Sequence, residues 1–194
     1  MIDGQRPVEL AHVSIPPNLR NTSASWRRPS SRSRSASTTR SATRRSLPGT
    51  GAPGGIAFQF RDVTTLKGDP CHWSGTDDDI PVGPTVDDLV QALQDQTAYE
   101  ASDPVDVVIG GYAGQRVDIV SPTDLDTLSP GCDESVWRPW DGEIYAQGPA
   151  NRWQTNILDV DGTRFVIVVQ DFPGTNAADR AELDAIVDSM VIAP

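Results

Sequence analysis

Histidine is nearly missing from this sequence: His12 and His72 are the only two in 194 residues. A zinc site built on two or more imidazoles within the folded part is thereby excluded, and a serine or cysteine nucleophile there has only His72 to turn to. Long apolar runs are missing as well. No stretch approaches the roughly 18 consecutive apolar residues that a membrane span needs, and the first 30 residues lack the apolar centre of an export signal. Lysine occurs once, at Lys67, and cysteine twice, at Cys71 and Cys132. An even pair of cysteines fits one disulfide in an exported domain; two unrelated buried thiols are the alternative.

Charge is plentiful but divided. Residues 1–50 hold nine arginines against Asp3 and Glu9, a net of +7, whereas residues 51–194 hold seven basic and 25 acidic residues, a net of −18. The folded part is therefore the acidic part. Its field repels phosphate backbones, so it is not expected to bind nucleic acid.

Along the chain, residues 1–19 contain one strand pattern, at 8–15, stopped by Pro16 and Pro17. Residues 20–53 are mostly Arg, Ser, Thr, Ala, Pro and Gly, offer no periodic apolar face to offset the entropy of ordering, and read as a disordered leader. Residues 54–194 read as a single globular domain. Ile56, Phe58 and Phe60 alternate as a strand, and Thr85, three residues before Asp88, opens an amphipathic helix carrying Val86, Leu89, Val90 and Leu93. Val105, Val107 and Ile109, then Gly110 to Gly114, then Val117 and Ile119 read as two strands joined by a glycine-rich reversal. A polar loop over 121–150 follows. Asp161-Gly162 joins a second hairpin, and Thr175 or Asn176 caps a helix with Leu183, Ile186, Val187 and Met190 on one face. The order strand, helix, hairpin, hairpin, helix predicts an α+β fold: an antiparallel sheet with two packing helices, one after the first core strand and one near the C-terminus.

Four segments occur in order: Asp69-Pro70-Cys71-His72-Trp73, Val82-Gly83-Pro84-Thr85-Val86-Asp87-Asp88-Leu89, Gly110-Gly111-Tyr112-Ala113-Gly114 and Ala178-Asp179-Arg180-Ala181-Glu182-Leu183. Together they resemble an uncharacterised extracytoplasmic domain family of high-GC Gram-positive bacteria, secreted or membrane-tethered, over residues 54–194. The resemblance implies an extracytoplasmic or cell-envelope location and carries no reaction, ligand or cofactor with it. A helix near each end of an antiparallel sheet is also loosely similar to the PsbP-like fold, which does not fix function. The chain departs from that family over its first 53 residues, where a signal or anchor and a first hairpin are expected. Ser30 to Ser46 has the look of GC-rich DNA read out of frame, so the leader is expected to be a frameshift or gene-prediction artefact.

Candidate sites are few. Trp73, Trp137, Trp140 and Trp153 with Tyr112 and Tyr145 could line a sugar or apolar-ligand pocket, or simply pack the sheet. Of these, Trp73, Trp137, Trp140 and Tyr145 are the expected ligand-binding residues. His72 beside Asp69 or Asp133 could serve a hydrolase, but a cysteine tied in a disulfide cannot attack anything. Asp77, Asp78 and Asp79, with Asp124, Asp126, Asp133 and Glu134, read as solvated acidic loops, because the spacing lacks the glutamate that closes a calcium loop. No metal or cofactor is expected. Leu47 to Gly51 matches a sortase signal without the apolar tail that one requires, Arg27-Arg28 lacks the apolar region of a twin-arginine signal, and the Ser30 to Ser37 arginine-serine run could bind RNA. The expectation from these features is a non-enzymatic extracytoplasmic binding or sensing domain for a small ligand or cell-envelope partner, with a hydrolase as the alternative.

Overall fold

The computed structural model describes residues 12–14, 41–45, 55–122, 131–141 and 150–193. Its elements run β1 (His12–Ser14), β2 (Ser41–Arg45), β3 (Gly55–Arg61), β4 (Thr65–Lys67), β5 (Asp79–Pro81), α1 (Val86–Gln94), β6 (Val105–Ile109), β7 (Tyr112–Val120), β8 (Arg152–Val160), β9 (Thr163–Asp171), α2 (Ala177–Asp188) and β10 (Val191–Ala193). Six strands form one antiparallel sheet in the order β2-β3-β9-β8-β7-β6, while β4 pairs with β5 and β1 with β10. The fold is α+β, with the sheet and the two helices where the hydrophobic pattern places them.

Alternation on the central strands explains the layering. Trp153 and Ile157 of β8, Val166 and Val168 of β9 and Val117 and Ile119 of β7 pack with Leu89, Val90 and Leu93 of α1. Leu158 and Val160 of β8, Ile167 and Val169 of β9 and Ile56 and Phe58 of β3 pack with Leu183 and Ile186 of α2 and with Met190. Since neighbouring strand residues point to opposite faces, α1 and α2 lie on opposite sides of the sheet. Burial on both faces is why Val166 to Val169 is an unbroken apolar run.

Local chemistry fixes the ends and turns. Thr85 Oγ1 accepts from Asp88 N at 3.1 Å and Asp88 Oδ2 accepts from Thr85 N at 2.9 Å, a reciprocal box that satisfies two otherwise orphaned donors of α1. Asn176, rather than Thr175, caps α2 by accepting from Asp179 N at 2.9 Å. The β6–β7 reversal is confined to Gly110 and Gly111, both at positive φ, and Tyr112 to Gly114 already belong to β7. Asp161 and Gly162, also at positive φ, make the two-residue β8–β9 turn, with Asp159 Oδ1 accepting from Gly162 N at 2.7 Å.

One segment departs from the sequence reading. Within residues 20–53, expected to lack structure, Ser41–Arg45 pairs with β3 as an edge strand, Ser41 opposite Gln59 and Arg45 opposite Gly55. An open sheet edge recruits a neighbour through backbone groups, which needs no apolar periodicity. The rest of 20–53, with its arginine-serine run, paired arginines and sortase-like segment, lies outside the described residues. Within the 8–15 pattern, His12–Ser14 pairs with β10. Among the described residues no helix is long and apolar enough to cross a membrane.

Candidate functional site

The turn after β4 is clasped to the segment 131–141. Its starting point is Asp69, whose Oδ1 accepts from the backbone N–H of Cys71 at 2.8 Å and of His72 at 3.0 Å. Short acidic side chains fold a chain back on itself in this way, and the following Pro70 limits the alternatives. Asp78 Oδ2 holds the other side of the turn by accepting from Asp69 N at 2.8 Å. Gly68 is required at this approach, because a Cβ there would lie 2.7 Å from the Asp78 carbonyl oxygen.

Cys71 and Cys132, 61 residues apart, form a disulfide with their Cα atoms 4.4 Å apart. Five hydrogen bonds reinforce it. Asp133 N donates to Cys71 O at 2.8 Å, Arg138 N to Pro70 O at 2.7 Å and Lys67 N to Pro139 O at 3.0 Å. Trp73 Nε1 donates to Val136 O at 3.0 Å, and Ser74 N to Asp133 Oδ2 at 2.7 Å. Outside this frame the Arg138 guanidinium lies 3.8 Å above the centre of the Trp73 ring, a cation held on an aromatic face.

The titratable groups of the clasp are coupled. His72 Nδ1 lies 3.0 Å from Asp69 Oδ2. That hydrogen bond, the charge of Asp69, the charge of Asp133 and a bond to the Gly131 backbone raise the His72 pKa above the usual imidazole value. Asp69 is held below the ordinary carboxylate range, chiefly by the His72 backbone N–H and further by the imidazole. Lys67 is buried, which by itself would lower its pKa, but bonds to Asp79 at 2.7 Å and Asp141 at 3.0 Å raise it.

The expected ligand-binding residues are separated by this arrangement. Trp73 is half-buried at the clasp surface. Trp137 and Trp140 are each about 1% exposed, and with Trp153 and Tyr99 they form a chain of edge-to-face rings inside the α1-side core. Their faces are covered by protein. Tyr145 lies outside the described residues, as do Asp124 and Asp126. His72 does sit against Asp69, yet the imidazole is also bonded to Gly131 and the neighbouring sulfur is in the disulfide, so the pair lacks an adjacent thiol nucleophile. Among the described residues no group of three or more His, Cys, Asp or Glu side chains is placed to hold a metal. Asp78 and Asp79 are occupied by Asp69, Thr76 and Lys67.

Arg138 was not singled out by the sequence. Its signal is the Trp-Arg-Pro-Trp spelling of 137–140: once both tryptophans are known to be buried, the arginine between them is left to the outer side. No family model, curated protein or solved structure matches the chain.

Proposed function

We propose that this chain is a non-enzymatic extracytoplasmic binding or sensing domain, and that it recognises a ligand or cell-envelope partner through the clasp surface formed by His72, Trp73 and Arg138. The observation that carries the reading is the bracing of this surface. A disulfide and five hydrogen bonds hold two irregular segments together while His72, Trp73 and Arg138 keep contact with solvent. A surface ordered in advance loses less entropy on binding. The disulfide supports an oxidising compartment, which agrees with the resemblance to extracytoplasmic domains.

The test is nuclear magnetic resonance of the labelled domain against fractionated envelope extract. Shifts confined to residues 69–79 and 131–141, and lost in Trp73→Ala, are expected. Shifts confined to the opposite, α2 face would refute the assignment of the surface. The His72–Asp69 pair favours the hydrolase as the second reading. Turnover by purified protein that disappears in His72→Ala would establish that reading and end the first.

A further inference from the structure

The six-stranded sheet ends on β6, and among the described residues no strand pairs with the outer side of Val105–Ile109. Which backbone groups face that open side follows from the β6–β7 turn. A two-residue reversal at Gly110 and Gly111 makes the flanking residues, Ile109 and Tyr112, a hydrogen-bonded pair. Pairs alternate along an antiparallel ladder, so Val107 opposite Gly114 and Val105 opposite Arg116 also turn their backbone groups inward to β7. Asp106 and Val108 are left with theirs pointing outward. Their N–H and C=O groups line the edge at the spacing an antiparallel partner strand needs.

The side chains complete a short recognition strip. Asp106 and Val108 project to the same face; Val108 is 72% exposed, and Val105 on the other face 50%. Gly110 ends the strip on one side. On the other, Ala101 pairs with Ile119 and Val105 with Arg116, one residue more on this strand than on β7, so a bulge at Asp103-Pro104 interrupts the edge.

Charge selects the partner. Natural sheet edges are often blunted by lysine, yet no lysine or arginine occurs from residue 68 to residue 115, and this edge carries Asp103 and Asp106. A second copy of the chain would bring its own acidic edge, on a domain whose residues 51–194 carry a net charge of −18. A basic extended segment meets no such repulsion. The same sheet shows how little else an added strand requires: at its far side β3 is paired by Ser41–Arg45, a stretch with two arginines and no apolar alternation.

We propose that the β6 edge is a strand-addition site for an extended basic peptide of a partner protein, with a basic residue opposite Asp106 and an apolar one opposite Val108. The edge shares no residue with the clasp and does not depend on the function proposed for it.

The test is nuclear magnetic resonance of the labelled full-length chain with the capped peptide Thr-Val-Thr-Arg-Thr, which in antiparallel register sets valine against Val108 and arginine against Asp106. Amide shifts concentrated in Val105–Ile109 are expected at millimolar peptide, with affinity lowered about fivefold when glutamate replaces the arginine. Asp106→Lys should reverse that preference. Val108→Pro should abolish the shifts while the protein stays folded, because the N–H it removes points away from β7. If that variant does not fold, the reversal in Asp106→Lys decides alone. Absence of shifts in β6, or equal binding of the arginine and glutamate peptides, would overturn the proposal. A dimer in sedimentation that Val108→Pro dissolves would assign the edge to a second copy and overturn it as well.

Discussion

Replacing both Cys71 and Cys132 with alanine removes the covalent half of the clasp and leaves its hydrogen-bonded half. The bond closes a loop of 61 residues. Chain-entropy reasoning then gives about 4 kcal/mol, because the unfolded chain regains the freedom that the cross-link denied it. The native state has less to lose, since Asp133, Arg138, Lys67, Trp73 and Ser74 still tie the two segments through hydrogen bonds. Cys132 is buried, so its truncation adds about 1 kcal/mol of lost packing. For a domain of about 140 residues an unfolding entropy near 2.1 cal/mol/K per residue converts 4 kcal/mol into a fall of about 14 °C in melting temperature. Urea unfolding followed by circular dichroism should show a lower midpoint and a steeper m-value, because the denatured state expands. Reduction of the unaltered protein should reproduce most of the shift. A fall of less than about 4 °C with an unchanged m-value would refute the reasoning and assign the hold on this loop to the hydrogen bonds.

Leu89→Ala and Leu183→Ala, each emptying a buried site on its own face of the sheet, should each lose about 3 kcal/mol in denaturant titrations. Thr85→Ala should lose about 1 kcal/mol by opening the capping box of α1, and Thr85→Ser only a few tenths; equal losses would show that the hydroxyl bond is not the cause. In a proton NMR titration His72 should have its midpoint above the ordinary histidine value, and Asp69→Asn should bring it down. A raised histidine pKa contributes stability that is complete below the unfolded value and lost as pH rises through the folded one. The Asp69 carboxylate, held low, contributes above its ordinary range and loses that contribution as pH falls through the depressed value. The melting-temperature gap between the unaltered protein and Asp69→Asn should therefore be widest near about pH 5 to 6 and narrow towards pH 9. A gap that widens with pH would reverse the sign of the argument.

Residues governed by near neighbours were legible in the sequence. Thr85 with Asp88, Asp161 with Gly162, and the alternation of Ile56, Phe58 and Phe60 each carry their instruction within a few positions. The cysteine pair was legible because only one pairing exists. What long-range packing decides was not. Nothing near Leu89 or Leu183 says that their helices take opposite faces; that follows from the registers of β8 and β9. Trp137 and Trp140 sit in irregular chain, where no period distinguishes a ring packed under a loop from one open to a ligand. Nothing local to Gln59 or Gln170 tells that these two polar strand residues meet across 111 residues in the interior. Ser41–Arg45 was missed because edge pairing is written in the backbone rather than in the side chains.

Among the described residues the sheet separates two sets of buried apolar side chains, one on each face, and its backbone runs between them. Among the described residues the two buried apolar clusters have no member in common, and perturbations of distant, independent sites add. The α2 side can consequently change its residues over time without disturbing the order of the clasp or of the tryptophan interior.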